Sequence, residues 1–487
     1  MAIARSLKER TVSGVAWAAI DQFSNQLALF MISVLIARIL SPEDYGVIAI
    51  VMIFVSLSGI LVNSGFGTAV IQRREISQEL CSSVFFFNMT VSVLLYIAIY
   101  LSSPLIASFF DMPVLSPALR VLGVMIIINA TYLMQVSLLT RALDFKKQSF
   151  VHLAATLVSG SIGLSLAYAG YGLWSLVAQS LSNALVTSFA YWIASSWRPL
   201  RHYAANDLKE LWGYSSRLLA SGLLDGIFTH IQPLAIGRFY TAADLGFYSQ
   251  GRRAPDLLAP GLTSVVQRVT FPALATMQDD IPRLRSSYRR IIGVVVLLIF
   301  PIMLVLAAVA RPFVLVLLTE KWLPATPFLQ IICLAMTLYP LNAINLNICK
   351  VLGRSDIFLR LEIVKKIIAL VVVIIAIPWG VLAIASSALL TGMIGFYLNA
   401  KYNGELIDYP WLDQLKDIIP TFLLAAVAAG CAWSAGFLPL DSPALLLLSQ
   451  VAIGAGAYLL LCRFFKLSAY NELLAIARER IGRTLSQ

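Results

Sequence analysis

The chain has 487 residues, of which 59% are hydrophobic and only 13% charged, and its formal net charge is +11. A soluble chain needs about a quarter of its residues charged to cover its surface, so this composition excludes a soluble globular protein. Apolar runs of about 20 residues, each long enough for a hydrocarbon core of roughly 30 Å, recur along the chain and predict an all-α polytopic membrane protein.

In chain order the apolar segments predict fourteen transmembrane helices, at 13–37, 47–70, 83–107, 117–139, 149–169, 172–194, 213–237, 244–267, 289–311, 325–349, 357–377, 380–400, 416–436 and 443–462. The first reads as a span and not as a cleavable signal. It contains Asp21, exceeds the length of an h-region and leads into another span. Only Pro378, Trp379 and Gly380 separate the eleventh span from the twelfth.

Lys and Arg are retained on the cytoplasmic side of a membrane. With the N-terminus inside, most of the 36 basic residues fall in alternate loops, among them Arg73 and Arg74, Arg141 with Lys146 and Lys147, and Arg283, Arg285, Arg289 and Arg290. This alternation predicts an even number of spans with both termini cytoplasmic. The positive charge is then topological and needs no nucleic-acid partner. Five scattered cysteines and three histidines have neither metal-ligand nor redox spacing, which predicts no metal site. ATP-binding, zinc-hydrolase and nucleophile-elbow motifs are absent from the sequence.

The chain repeats itself. ARILSPEDYG (37–46) and GRFYTAADLG (237–246) share Arg, Asp and Gly at Arg38/Arg238, Asp44/Asp244 and Gly46/Gly246, with Ser41 facing Thr241. YGLWSL (171–176) is similar to WGVLAI (379–384) at nearly the same offset. A duplication explains both pairs. A common Ser/Thr-x-x-Asp helix cap would explain the first pair alone. Duplication divides the chain into a six-helix lobe over 1–200, a second over 201–403, two added transmembrane helices over 404–466 and an amphipathic cytoplasmic tail over 467–487. Parallel repeats of this kind enclose a cavity suited to alternating access.

Ionisable side chains within spans are costly and mark functional hypotheses. In GFYSQGRRAPDLLAPG (246–261), Arg252 and Arg253 follow the helix start near Asp244 by a depth of about 12–13 Å. Guanidinium groups stay charged and grip phosphate oxygens bidentately, so contact with an anionic substrate is one reading. The other is internal, with Arg252 paired to Asp256 at i,i+4 and Arg253 snorkelling or meeting a neighbouring helix. Asp225 and His230, five residues apart, read either as protonatable or cation-binding groups or as internal partners of Arg217, Arg252 or Arg253. Asp225, His230 and Asp256 are the candidates for coupling or gating. Asp21, Gln22, Asn25 and Gln26 form a polar patch on the first span that either lines a wet cavity or joins helices. Arg73 and Arg74, after Gln72, serve either as topological anchors or as a first dock for an anionic headgroup.

Several stretches, in order and spacing, carry a family likeness: TVSGVAWAAI (11–20), ARILSPEDYG (37–46), GFGTAVIQRREIS (65–77), TFPALATMQDDIPRLR (270–285) and LTEKWLPATPFLQII (318–332). The chain resembles the polysaccharide-transporter family, the Wzx-type flippases of the multidrug/oligosaccharidyl-lipid/polysaccharide superfamily, from the N-terminus to about residue 466. The resemblance implies a transporter, not an enzyme, in the bacterial inner membrane. Such proteins move undecaprenyl-pyrophosphate-linked oligosaccharides outward for exopolysaccharide, capsule or lipopolysaccharide O-antigen synthesis. It also implies two lobes around a cationic cavity, with no cofactor beyond a sodium or proton coupling ion. The implied partners are that lipid-linked substrate, membrane lipids, and polysaccharide polymerase and export machinery. Related peptidoglycan-precursor flippases carry arginines on the first helix, where this chain has Asp21, Asn25 and Gln26. That departure moves the expected pyrophosphate contact to Arg252 and Arg253. The alternatives are a multidrug or small-molecule exporter of the same superfamily, and a membrane polymerase or glycosyltransferase, for which the expected outer loops are short.

Overall fold

A computed structural model describes residues 24–63, 65–73, 75–201, 205–467 and 469–471, and these are helical with short connections. The first compact unit is Met1–Ser249 and the second Gln250–Gln487. The first holds α1 (Ser24–Ala37), α2 (Pro42–Asn63), α3 (Phe66–Gln72), α4 (Gln78–Phe109), α5 (Leu115–Leu122), α6 (Val124–Ala130), α7 (Leu133–Arg141), α8 (Phe145–Tyr168), α9 (Leu173–Ala194), α10 (Ala205–Thr229) and α11 (Ile231–Phe239). The unit boundary falls inside α12 (Ala242–Ala275). The second unit continues with α13 (Ile281–Ala308), α14 (Ala310–Leu317), α15 (Thr326–Val351), α16 (Ser355–Ala376), α17 (Val381–Ile407), α18 (Trp411–Ser434) and α19 (Pro443–Phe464).

Helix starts follow local chemistry. Ser77, Asp144 and Asp280 accept hydrogen bonds from the amides of Leu80, Lys147 and Arg283, at 3.1, 3.2 and 3.1 Å, opening α4, α8 and α13. Each satisfies an amide that the first turn leaves without an intrahelical partner. The motif shared by residues 37–46 and 237–246 forms the same structure twice. Ser41 and Asp44 exchange bonds at the start of α2, the Asp44 amide donating to Ser41 Oγ at 3.3 Å and the Ser41 amide to Asp44 Oδ2 at 3.2 Å. Thr241 and Asp244 do the same at the start of α12, at 3.1 and 3.2 Å. These are capping boxes.

The repeated glycine has a second role, invisible in the cap. A Cβ at Gly46 would stand 1.8 Å from the Ala242 carbonyl oxygen, and one at Gly246 would stand 1.9 Å from that of Pro42. The first turns of α2 and α12 therefore meet backbone to backbone, reciprocally, where only glycine fits.

The helices coincide with the expected segments but are more broken. Segment 117–139 becomes α5, α6 and α7, 213–237 divides at His230 into α10 and α11, and 289–311 covers α13 and α14. Between α16 and α17 the chain makes a short 3₁₀ turn, Ile377–Trp379, and reverses at Gly380 with φ +99°. Nine helices or helix runs among the described residues are long and apolar enough to cross a membrane. The helices in the other five expected segments fall short on length or composition. The described part of the first span is short, α9 is diluted by Gln179, Asn183 and several serines, and α10, α12 and α16 carry charged residues.

In the second unit the core lies where α13, α15, α17 and α18 pack together, around Tyr288, Ile292, Phe300, Leu329, Ile344, Ile384 and Ala425. Membrane helices gain little from hydrophobic burial against each other, so close packing and interhelical hydrogen bonds carry the association.

Candidate functional site

Arg252 and Arg253 lie ten and eleven residues into α12, about 15 Å from its start along the axis. The neighbouring backbone is fixed by packing. A Cβ on Gly251 would stand 2.9 Å from both the Ala325 carbonyl oxygen and Phe328 Cβ, so α12 lies directly against the entry to α15. Gln250 and Ala254 are buried on either side, and farther along Gln267 Nε2 donates to the Ala343 carbonyl at 3.1 Å. With that face fixed, Arg252 points about 100° away from Gly251 around the helix. Its Nε donates to Asp256 Oδ2 at 2.5 Å, one turn on. The two side chains are 26% and 35% exposed, and Arg253 is also half-buried.

Pro255 and Pro260 stand in the same stretch. Proline has no amide hydrogen, so the carbonyls of Gly251 and Asp256 lack their usual i+4 donor. The segment from Gly251 to Asp256 therefore concentrates two guanidinium groups, one carboxylate and two backbone carbonyls in about one and a half turns. Chemically, it can hold an anion through the guanidinium groups while Asp256 keeps Arg252 oriented.

The other predicted residues sit on separate helices. Asp225 is exposed near the end of α10, and Thr229 Oγ1 donates to its backbone carbonyl at 2.8 Å. His230 occupies the break before α11, with its amide donating to the carbonyls of Gly226 and Ile227. Asn25 Oδ1 accepts from Thr156 Oγ1 at 2.6 Å, a bond between α1 and α8 that fits the helix-joining reading. Gln26 Oε1 is buried without a hydrogen-bond partner. Arg73 closes α3, and the Arg141 side chain donates to the carbonyls of Val70 and Arg73, capping that helix end. Asp21, Gln22 and Arg74 lie outside the described residues.

Residues 35–327 match the family of polysaccharide biosynthesis proteins. The chain belongs to that family. Among its relatives are the lipopolysaccharide biosynthesis protein WzxC of Escherichia coli K12, 25% identical over 76% of each chain, and the teichuronic acid biosynthesis protein TuaB of Bacillus subtilis 168, 23% identical over 94% of this chain and 96% of that one. The succinoglycan biosynthesis transport protein ExoT of Rhizobium meliloti 1021 is 23% identical over 98% of this chain and 97% of its own. The fold is similar to that of the lipid II flippase MurJ in an inward closed conformation, with a TM-score of 0.73 and 15% identity over 94% of this chain and 99% of that one. It is also similar to an inward-facing multidrug MATE transporter of the MOP superfamily, with a TM-score of 0.57 and 15% identity over 80% and 98%. This family member is thus an all-α, multi-pass bacterial membrane protein with a MurJ- and MATE-like fold.

The structure adds a polar cluster in the second unit that the sequence analysis did not single out. Asn403 Nδ2, on α17, donates to Tyr288 Oη at 3.0 Å and to Asn345 Oδ1 at 3.2 Å, and Tyr288 Oη donates to Asn345 Oδ1. Nearby, Asn399 Nδ2 donates to Asn342 Oδ1 at 3.0 Å. Asn345 Nδ2, Asn399 Oδ1 and Asn403 Oδ1 are buried without partners. Lys365 and Glu362 pair at 2.5 Å, ten and seven residues into α16 and inside the segment expected to span at 357–377. The spacing was a signal. Asn342 with Asn345, and Asn399 with Asn403, lie at i,i+3 and i,i+4 within apolar helices.

Proposed function

We propose that the protein is a flippase that carries undecaprenyl-pyrophosphate-linked oligosaccharide units across the bacterial inner membrane by alternating access. All fourteen segments cross the bilayer, with both termini cytoplasmic. Residues 1–200 and 201–403 supply two six-helix lobes, 404–466 two further spans and 467–487 a cytoplasmic tail. Arg252 and Arg253 contact the pyrophosphate, with Arg73 and Arg74 at the cytoplasmic entrance. Asp21, Asn25 and Gln26 face the sugars, and Asp225, His230 and Asp256 bias the conformation in response to a sodium ion or proton. The polymerase and export machinery take up the product.

The observation that carries this reading is the half-buried Arg252–Arg253 pair, held at depth by Asp256 and by the packing of Gly251 on α15. Guanidinium groups, which grip phosphate oxygens bidentately, suit an anion better than the cationic drugs of an exporter. Relatives named for polysaccharide synthesis and transport, and the likeness to a lipid II flippase, support a transporter over an enzyme. The reciprocal contact of Gly46 and Gly246 supports duplication.

The test is extraction of lipid-linked oligosaccharides from the native host with and without the gene. Accumulation of an undecaprenyl-pyrophosphate oligosaccharide on the cytoplasmic leaflet is the expected result. Normal polymer with no accumulation would sink the flippase and leave the exporter.

A further inference from the structure

A cavity of about 610 Å³ opens in the second unit between the second to fourth turns of α13, the second and third turns of α18, and the segment that follows α19. Its walls include Arg289, Arg290 and Lys416, the hydroxyl-bearing Ser286 and Thr421, and a lone acid, Asp417. Two features define its chemistry. First, the acid is already engaged. Arg289 Nη2 donates to Asp417 Oδ1 at 2.5 Å, and Tyr409 Oη donates to Asp417 Oδ2 at 2.5 Å. Burial, and then that bond to Asp417, push the Tyr409 phenol well above its ordinary value, so it remains a donor at neutral pH. The lining thus holds three basic side chains and one acid, and Lys416 also pairs with Asp413 just beside it.

Second, the cavity straddles the polar-to-apolar boundary of two helices. The sequence of α13 changes from PRLRSSYRR to IIGVVVLLIF at Ile291, and that of α18 from LDQLKD to IIPTFLLAAV at Ile418. The cavity lining runs from Ser286 to Gly293 and from Lys416 to Thr421, across both transitions. Such a position corresponds to the level of lipid headgroups. From Lys416 an exposed stripe of Ile419, Leu423 and Val427 continues along α18 at helical spacing. It offers a surface for acyl chains directly below a charged head.

The geometry points to a binding site for the phosphate headgroup of an anionic phospholipid, separate from Arg252 and Arg253. Basic pockets between helices at the membrane surface recognise such heads, with each cation worth about 1 kcal/mol near the surface, or roughly fivefold in affinity. A polyprenyl pyrophosphate shares the phosphate chemistry, so the test must separate the two sources.

The full-length protein in neutral detergent is titrated with short-chain phosphatidylglycerol, short-chain phosphatidylcholine and inorganic pyrophosphate, following its thermal melting. Lys416→Gln is the mild variant, because that side chain is 75% exposed and pairs only locally with Asp413. Arg289→Gln/Arg290→Gln/Lys416→Gln is the severe one. Phosphatidylglycerol and not phosphatidylcholine should stabilise the native protein, with affinity about fivefold weaker in the mild variant and at least about tenfold weaker in the severe one, while any stabilisation by pyrophosphate at Arg252 and Arg253 should be the same in all three proteins. If the severe variant does not fold, the mild one decides. Equal affinity for phosphatidylglycerol in the native and variant proteins would overturn the proposal. So would stabilisation by pyrophosphate that the variants lose, with phosphatidylglycerol silent, which would assign the cavity to a pyrophosphate ligand.

Discussion

Arg252 illustrates how far a single residue can be read from sequence. The i,i+4 spacing to Asp256 anticipated their ion pair, and the structure forms it. What spacing could not supply was the azimuth, which follows from Gly251 lying against Ala325 and Phe328. Substituting both arginines, Arg252→Gln/Arg253→Gln, should abolish polymer export while the protein still reaches the membrane in normal amounts. Complementation of a deletion strain, with immunoblotting of membranes, checks it, and export at the native level would place the anion contact elsewhere. The buried cluster around Tyr288 makes a different kind of claim. Its phenol donates to Asn345 and accepts from Asn403 in a fully buried setting. Tyr288→Phe removes a partner from two buried amides, and should lower stability by about 1–3 kcal/mol. Thermal melting of the purified protein should show this as a lower midpoint, and an unchanged midpoint would mean that water replaces the hydroxyl at no cost.

At the scale of elements, the shared motif at 37–46 and 237–246 was legible as chemistry but only half understood. Ser41-Pro-Glu-Asp44 and Thr241-Ala-Ala-Asp244 spell capping boxes, and both form. The glycine two residues later looked like part of the cap, yet its role is tertiary, because each one admits the other helix's first carbonyl. Gly46→Ala or Gly246→Ala would place a methyl within about half a normal contact distance of a backbone oxygen, which neither helix can yield without moving. Each single substitution should therefore reduce the folded, detergent-extractable protein severely, whereas Gly430→Ala, in open space on α18, should leave it unchanged. Fluorescence-detected size exclusion compares the three, and equal peaks would show that the α2–α12 contact is dispensable.

Across the whole molecule, the alternation of basic loops and the apolar lengths gave the segments in the right order, but five of the fourteen segments contain no helix that meets the length and composition expected of a span among the described residues. Helix α16 is the clearest case. It carries Glu362, Lys365 and Lys366 and still runs unbroken from Ser355 to Ala376, with Lys365 and Glu362 paired. Pairing lowers the cost of placing both charges near the bilayer. If α16 and α17 both cross, the turn at Trp379, which is 80% exposed, lies outside, and the turn at Asp408 lies inside. In a Cys431→Ser background, a membrane-impermeant maleimide should label Trp379→Cys in intact cells and Asp408→Cys only after permeabilisation. Labelling of both in intact cells would remove α17 as a span.

The sequence alone determined the class of molecule, the order of its helices, their caps and the family, because each depends on composition, short-range spacing or ordered motifs. It also exposed the Arg252–Asp256 pair, which lies within one turn of one helix. Only the tertiary structure decided which faces those helices present. Packing at Gly46 against Ala242, at Gly251 against Ala325, and of Asn25 against Thr156 brings together residues far apart in the chain. So does the cavity formed by Arg289, Lys416 and Leu467. An apolar helix in a bilayer can turn any side toward its neighbours at similar cost until small residues and interhelical hydrogen bonds select one. That selection is a property of pairs of helices, and a single helix sequence does not contain it.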